Sequence, residues 1–207
     1  MDGAGMNSDA ISLADGPAPA RGGNRFARER RKAPRHSLDW FRTPVWATQA
    51  LLEREAFPGA VWECAAGDGA MADPIAAAGY RVVASDVAPL RADVVPRDFL
   101  TEQALPDGCE SVITNPPFRA AGDFVRHALA LGVRKLAIIQ RVAFLEGSER
   151  QRTIFASHPP ARIWVFSRRV TMWKGDLSDQ RDKGGAMAFC WLVFERHHQG
   201  TQVGWIP

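Results

Sequence analysis

Apolar and polar positions follow two alternating rhythms along this chain. Short β-rich runs recur at Ala60–Cys64, Arg81–Asp86, Asp93–Pro96, Ser111–Thr114, Lys135–Gln140, Arg162–Ser167 and Ala186–Glu195. Between them, helical spacing predicts helices near Pro44–Ala56, Ala70–Ala78, Ala120–Leu131 and Glu146–Ser157. The Ala120–Leu131 stretch is the clearest, because Ala121, Phe124, Val125, Ala128 and Leu129 fall on one face of a 3.6-residue helix. Pro74 fits its helix if it lies in the first turn, where a missing N–H costs nothing. Strands alternating with helices predict an α/β fold with a mostly parallel, seven-stranded sheet and helices on both faces. The last two runs, joined only by Thr171–Gly185, predict an antiparallel hairpin at one edge of that sheet.

Composition changes the picture mainly at the start of the chain. Residues 1–36 are rich in Gly, Ala, Pro, Ser and Arg and show no apolar periodicity, which predicts a disordered arm ahead of one folded domain spanning residues 37–207. The arm holds seven bases (Arg21, Arg25, Arg28, Arg30, Arg31, Lys32 and Arg35) against four acids, so the whole net charge of +3 resides there. A neutral body with a basic arm suits attraction to nucleic acid phosphates. No apolar stretch approaches the ~20 residues of a membrane span. The first thirty residues also lack the apolar core of a secretory signal, so a cytoplasmic protein is expected. Cys64, Cys109 and Cys190 form no CxxC pair, and His197-His198 has no nearby thiol or acid in sequence. Buried free thiols are expected, and no metal site.

Chemistry is concentrated after two of the strands. The run Val61-Trp62-Glu63-Cys64-Ala65-Ala66-Gly67-Asp68-Gly69 reads as a strand followed by a glycine turn that opens a helix. Gly67 and Gly69 allow a sharp turn and a close approach of ligand to backbone. Asp86, at the end of the next strand, can accept both hydroxyl hydrogens of a ribose, and Val87 follows it at the pocket. These residues argue for a nucleoside-containing cofactor and leave its identity open, since Gly67-x-Gly69-x-x-Ala72 also satisfies a relaxed dinucleotide fingerprint. Glu63 tilts the choice. A carboxylate just before the turn would repel a pyrophosphate, but it would attract the amino group or sulfonium of S-adenosylmethionine.

The fourth strand runs into Asn115-Pro116-Pro117-Phe118. Consecutive prolines end the ladder and fix two φ angles. The Asn115 side-chain oxygen and the Pro116 carbonyl can then act as two fixed acceptors for an exocyclic NH2, whose lone pair is turned toward an incoming methyl group. Such a site works by orientation and preorganised dipoles and needs no metal. Phe118 offers a flat apolar face for a planar base.

Taken together, these motifs resemble the amino-methylating class of DNA methyltransferases, in the subgroup whose cofactor motifs precede the catalytic motif. The resemblance covers residues 41–118 in order: Phe41-Arg42-Thr43-Pro44, Glu63 to Gly69, Asp86, Asp98-Phe99-Leu100, and Asn115 to Phe118. It implies a Rossmann-like methyltransferase fold and S-adenosylmethionine as cofactor. It further implies that Thr43, beside Pro44, reaches the methionine carboxylate, and that Asp98 bonds the cofactor adenine's amino group with Phe99 stacking nearby. The implied reaction is methylation of N6 of a flipped adenine in DNA. Cys64 departs from the proline common at that place. Only about 90 residues follow the catalytic motif, too few for a large target-reading domain. Relaxed or short-site specificity is therefore expected. The same motif also suits guanine N2 or adenine N6 in RNA and protein glutamine, and a non-catalytic binding module is a further alternative.

On the substrate side, Arg168, Arg169, Trp173, Lys174 and Arg181 mix bases with an aromatic and predict a loop that grips nucleic acid. The arm should contribute as well. Deleting residues 1–36 is expected to weaken DNA binding and to lower the slope of log affinity against log salt by at most about 6, the limit for seven phosphate contacts. Filter binding across a salt series measures this, and an unchanged slope would exclude the arm from the DNA contact.

Overall fold

The computed structural model describes residues 40–174 and 187–207; the arm and Arg181 lie outside them. Every central strand is apolar on both faces, as a sheet covered on both sides requires. Eight strands form the main sheet: β2 (Ala60–Glu63), β3 (Val82–Asp86), β4 (Val95–Pro96), β5 (Cys109–Thr114), β6 (Lys135–Arg141), β7 (Arg162–Phe166), β9 (Phe189–Glu195) and β10 (Gln202–Ile206). Their spatial order is β10-β7-β9-β6-β5-β2-β3-β4. All neighbours pair parallel except β9, which runs antiparallel to both β6 and β7. Two further short strands, β1 (Phe41–Arg42) and β8 (Trp173–Lys174), form a separate antiparallel pair.

Helices α1 (Val45–Leu52) and α2 (Ala72–Ala77) cover one face, with Ala47, Leu51 and Ile75 packed against Val61, Ile113, Ile139 and Trp191. Helix α3 (Ala121–Ala130) covers the other, and its Ala121, Phe124, Val125 and Ala128 meet Trp62, Val112, Leu136 and Ile138. The Trp191 indole N–H donates to the Ala47 carbonyl at 2.9 Å, which ties β9 to α1. Pro74 is the third residue of α2, within its first turn. All three cysteines are buried free thiols. No helix among the described residues is long and apolar enough to cross a membrane.

The structure corrects the expected sheet in several places. It has eight strands rather than seven, and the antiparallel hairpin is not the edge. β9 lies between β6 and β7, and β10 pairs parallel to β7 outside it. A five-residue run interrupted by Gly204 carried too little alternation to announce β10. The expected strand at Asp93–Pro96 contracts to two residues. The helix expected over Glu146–Ser157 becomes one α turn, Ser148–Arg150, continued as a π turn over Gln151–Phe155.

At the amino ends of β6 and β7, buried Glu55 collects three donors. Lys135 Nζ lies 2.6 Å from Glu55 Oε2, Trp164 Nε1 donates at 2.7 Å, and the Arg162 guanidinium pairs with both Glu55 and Glu195. Burial pushes the Glu55 carboxyl up, but the hydrogen bonds from Arg162, Lys135 and Trp164 outweigh it and hold the group below its usual range. A carboxyl depressed in the folded state stabilises the fold above its unfolded pKa and loses that contribution as pH falls through the folded value. Glu55→Gln is therefore expected to lower stability by about 3 kcal/mol at neutral pH, the scale of a broken buried pair. Denaturant titrations should show the gap to wild type narrowing in acid; a gap independent of pH would contradict this account.

Candidate active site

The carboxyl ends of the parallel strands carry the chemistry, as open α/β sheets lead one to expect. Chain order reverses between β2 and β5, since β2, β3 and β4 run outward on one side and β5 and β6 on the other. Glu63 ends β2, Asp86 ends β3, and Asn115 follows β5. The sheet thus gathers at one edge three residues that span 52 positions of sequence, from Glu63 to Asn115.

Glu63 is fully buried. Its Oε1 accepts from the Thr114 hydroxyl at 2.7 Å and from the Ala65 N–H at 3.0 Å. Its Oε2 is also buried and has no hydrogen-bond partner among the described residues. The glycine turn beyond it adopts positive φ at Gly67 (53°) and Gly69 (84°), which side chains resist. Asp86 braces this turn: Oδ2 accepts from the Gly67 N–H at 2.8 Å and Oδ1 from the Ala88 N–H at 2.7 Å. Val87, just beyond, is half exposed. A buried orphan carboxyl oxygen, a ligand-permissive turn and a second acid at the next strand end fit a cofactor that bears a positive charge and a ribose.

The segment ahead of α1 crosses this region. Arg42 Nε donates to Asp68 Oδ2 at 2.6 Å, and the Trp40 indole lies against Gly67 where a Cβ would stand. Phe41 stacks on Phe118 with ring centroids 5.0 Å apart. Pro44 caps α1 in an extended conformation. Asn115 Nδ2 donates to the Phe41 carbonyl at 3.0 Å and to Thr43 Oγ1 at 2.9 Å. Its Oδ1 is buried and has no partner among the described residues. Pro116 is buried and Pro117 half-buried, and the Pro117 carbonyl accepts from the Ala120 N–H at 2.8 Å as the chain turns into α3. The Arg141 guanidinium, at the end of β6, lies over the Phe118 ring at 5.1 Å.

Two of the residues that the resemblance singled out make contacts within the protein itself. Phe99 is only 2% exposed, and its ring packs among Trp62, Phe124 and His127 in the core. The neighbouring Asp98 uses Oδ1 to cap its own turn through the Leu100 N–H at 3.1 Å. Arg168 and Arg169 are exposed just past the carboxyl end of β7, with the Arg168 guanidinium 3.6 Å from the Trp46 ring centre. Trp173 and Lys174 are strand β8, paired to Phe41-Arg42, and are not part of an open loop. Sequence reasoning missed the roles of Trp40, the Phe41 carbonyl and Arg141. Only the position of Arg141, a base ending the apolar strand β6, could have signalled it.

No protein-family model and no curated protein matches the sequence. Solved structures do. The chain is similar to a candidate RNA methyltransferase from Pyrococcus horikoshii with TM-score 0.58 and 18% identity, over 80% of this chain and 90% of that one. It is also similar to protein 1320 of Thermoplasma acidophilum (TM-score 0.50, 16% identity, 74% of this chain and 84% of that one). A candidate hemolysin from Lactococcus lactis matches at TM-score 0.51 and 13% identity, over 77% and 91% of the two chains. The fold is the Rossmann-like methyltransferase fold, with one strand beyond the expected seven.

Burial pushes the Glu63 carboxyl up to about 8, and the negative charge of Asp86 adds to the rise against the hydrogen bonds from Thr114 and Ala65. The adjoining Cys64 thiol, raised well above its ordinary value by burial, stays neutral. At pH 7 Glu63 is therefore mostly protonated, and a positive charge placed beside Oε2 expels that proton. Affinity for S-adenosylmethionine should accordingly rise by about tenfold from pH 7 to pH 9, the linkage expected of one such group. Calorimetry in buffers of different ionisation enthalpy should register proton release in the wild type and none of this component in Glu63→Gln. Equal release by both would remove Glu63 from the cofactor site.

Proposed function

We propose that this chain is an S-adenosylmethionine-dependent methyltransferase acting on an exocyclic amino nitrogen, with N6 of an adenine flipped out of DNA as its substrate. The observation that carries the reading is the buried Asn115 Oδ1, left without a partner while Nδ2 is anchored on the opposite side. It is an acceptor held ready for a donor at the carboxyl edge of β5, beside the turn that begins at Glu63.

S-adenosylmethionine supplies, when bound, a methyl carbon on a positively charged sulfur, an electrophile strong enough to dispense with a metal. Glu63 Oε2 would receive the positive charge, Asp86 would hold the ribose hydroxyls, and the backbone from Ala65 through Gly67 to Gly69 would accommodate the rest. Asn115 Oδ1 and the Pro116 carbonyl each accept one hydrogen of the substrate amine, which turns the nitrogen lone pair out of conjugation and toward the methyl. Transfer would break the bond between the methyl carbon and sulfur as the N–C bond forms, leaving S-adenosylhomocysteine, and the amine would shed one of those hydrogens as a proton to water. Rotating a base out of a duplex costs a few kcal/mol. Stacking on Phe118 offsets about 1–3 kcal/mol of that, once the Arg141 guanidinium yields its place over the ring.

Nucleic acid as the substrate class is supported by exposed Arg168 and Arg169 at the same edge and by the basic arm ahead of the domain. The amide-and-carbonyl pair also suits guanine N2 or adenine N6 in RNA, and the similarity in fold to a candidate RNA methyltransferase keeps RNA as the second reading.

Asn115→Ala should lower methyl transfer by about two to three orders of magnitude, the scale of losing a preorganised polar group at a reacting centre. Cofactor binding should survive. Radiolabelled transfer to bulk DNA and RNA, followed by mass spectrometry of the digested nucleosides, is expected to yield N6-methyladenine from DNA. Normal turnover by the variant would refute the role of Asn115, and a methylated guanine or an RNA product would move the substrate assignment.

A further inference from the structure

We infer that Thr43 is a positioning residue for methyl transfer, acting through Asn115 by holding the second amide hydrogen on the side where the Phe41 carbonyl takes the first, so that Oδ1 is kept toward the substrate. The inference rests on the methyl-transfer reading above and goes beyond it.

A primary amide is nearly symmetric in shape, so a half-turn about its last torsion exchanges an acceptor for a donor at almost the same place. Only its hydrogen-bond partners distinguish the two states. For Asn115 the Phe41 carbonyl can only accept, and it lies 3.0 Å from Nδ2. The Thr43 hydroxyl oxygen accepts the other hydrogen at 2.9 Å, and Met172 Sδ stands 3.7 Å away. With both hydrogens engaged on one side, Oδ1 must present to the other. The flipped amide would point Nδ2 at the substrate amine, donor against donor, and set Oδ1 against the Phe41 carbonyl.

Thr43 is built to hold this position. It is 2% exposed, so water does not compete for its hydroxyl. It precedes Pro44, and a residue before proline is confined to extended backbone, which the Pro44 cap of α1 then carries into the helix. β1, one residue earlier, is fixed by its pairing with β8. The geometry thus gives the hydroxyl of Thr43 a task at the acceptor amide, different from the contact with a methionine carboxylate that the motif implied.

The test compares Thr43→Val, Thr43→Ala and Thr43→Ser with wild type at saturating cofactor and nucleic acid. The Val and Ala variants should lose about tenfold in kcat, the scale of one neutral hydrogen bond. Their Kd for S-adenosylmethionine should stay within about twofold of wild type. Thr43→Ser restores the hydroxyl and should keep most of the wild-type kcat, a rescue that a purely packing role would not give. A kcat unchanged in Thr43→Val, or a loss confined to cofactor Kd, would overturn the inference. If the Val and Ala variants do not fold, wild type still decides it by NMR. The Asn115 side-chain NH2 signals, assigned by their loss in Asn115→Asp, should both be protected from solvent exchange, and rapid exchange would overturn the inference. Wild type that transfers no methyl group to any nucleic acid would overturn the functional reading itself, and this inference with it. Wild type that is active alongside an equally active Thr43→Val would overturn the present inference alone.

Discussion

Two hydrogen bonds from one amide nitrogen set the polarity of the whole site. Asn115 Nδ2 gives its hydrogens to the Phe41 carbonyl and to Thr43, and the oxygen left over is a buried acceptor with no protein partner among the described residues. A buried carbonyl-type oxygen left unpaired costs roughly 1–3 kcal/mol, and such a cost persists where the group awaits a ligand donor. Glu63 shows the same economy on the neighbouring strand. One carboxyl oxygen is bonded to Thr114 and Ala65, while the other is buried and unpartnered. The Thr114 hydroxyl, one residue before Asn115, physically links the two centres.

The rest of the fold keeps that edge stiff. Helix α1 is joined to β9 through Trp191, and α1 begins at Pro44, directly after Thr43. At the far end of the sheet, Glu55, Lys135, Arg162 and Glu195 lock the starts of β6 and β7 to the end of β9. The polar cluster that fixes strand register therefore lies opposite the edge where the unpaired acceptors gather. Satisfied polar groups hold the frame at one end, and the unpartnered oxygens of Glu63 and Asn115 lie at the other.

Much of this was legible in the residues. Long apolar runs such as Leu136–Ile139 marked central strands because burial on both faces leaves no polar alternation to read. The places of Gly67 and Gly69 in a positive-φ turn, of Asp86 at the end of β3 and of Asn115 after β5 were legible because they depend on local backbone. What escaped was non-local. β10 gained its place by pairing with β7, a contact no short window contains. The core contacts of Phe99 with Trp62 and Phe124, both distant in sequence, were likewise invisible in its motif. The partners of Asn115 lie more than seventy residues upstream, so the orientation of the amide could not be inferred from the motif that contains it.

A structure of the chain with a stable S-adenosylmethionine analogue and an oligonucleotide tests the central claim most directly. The account predicts the analogue across Gly67 and Gly69 with its cationic end at Glu63. A flipped base should lie beside it, its exocyclic nitrogen within hydrogen-bond distance of Asn115 Oδ1 and opposite the transferable group. An analogue bound away from that turn, or an Asn115 oxygen directed at Phe41 or Thr43 and not at the base, would contradict it.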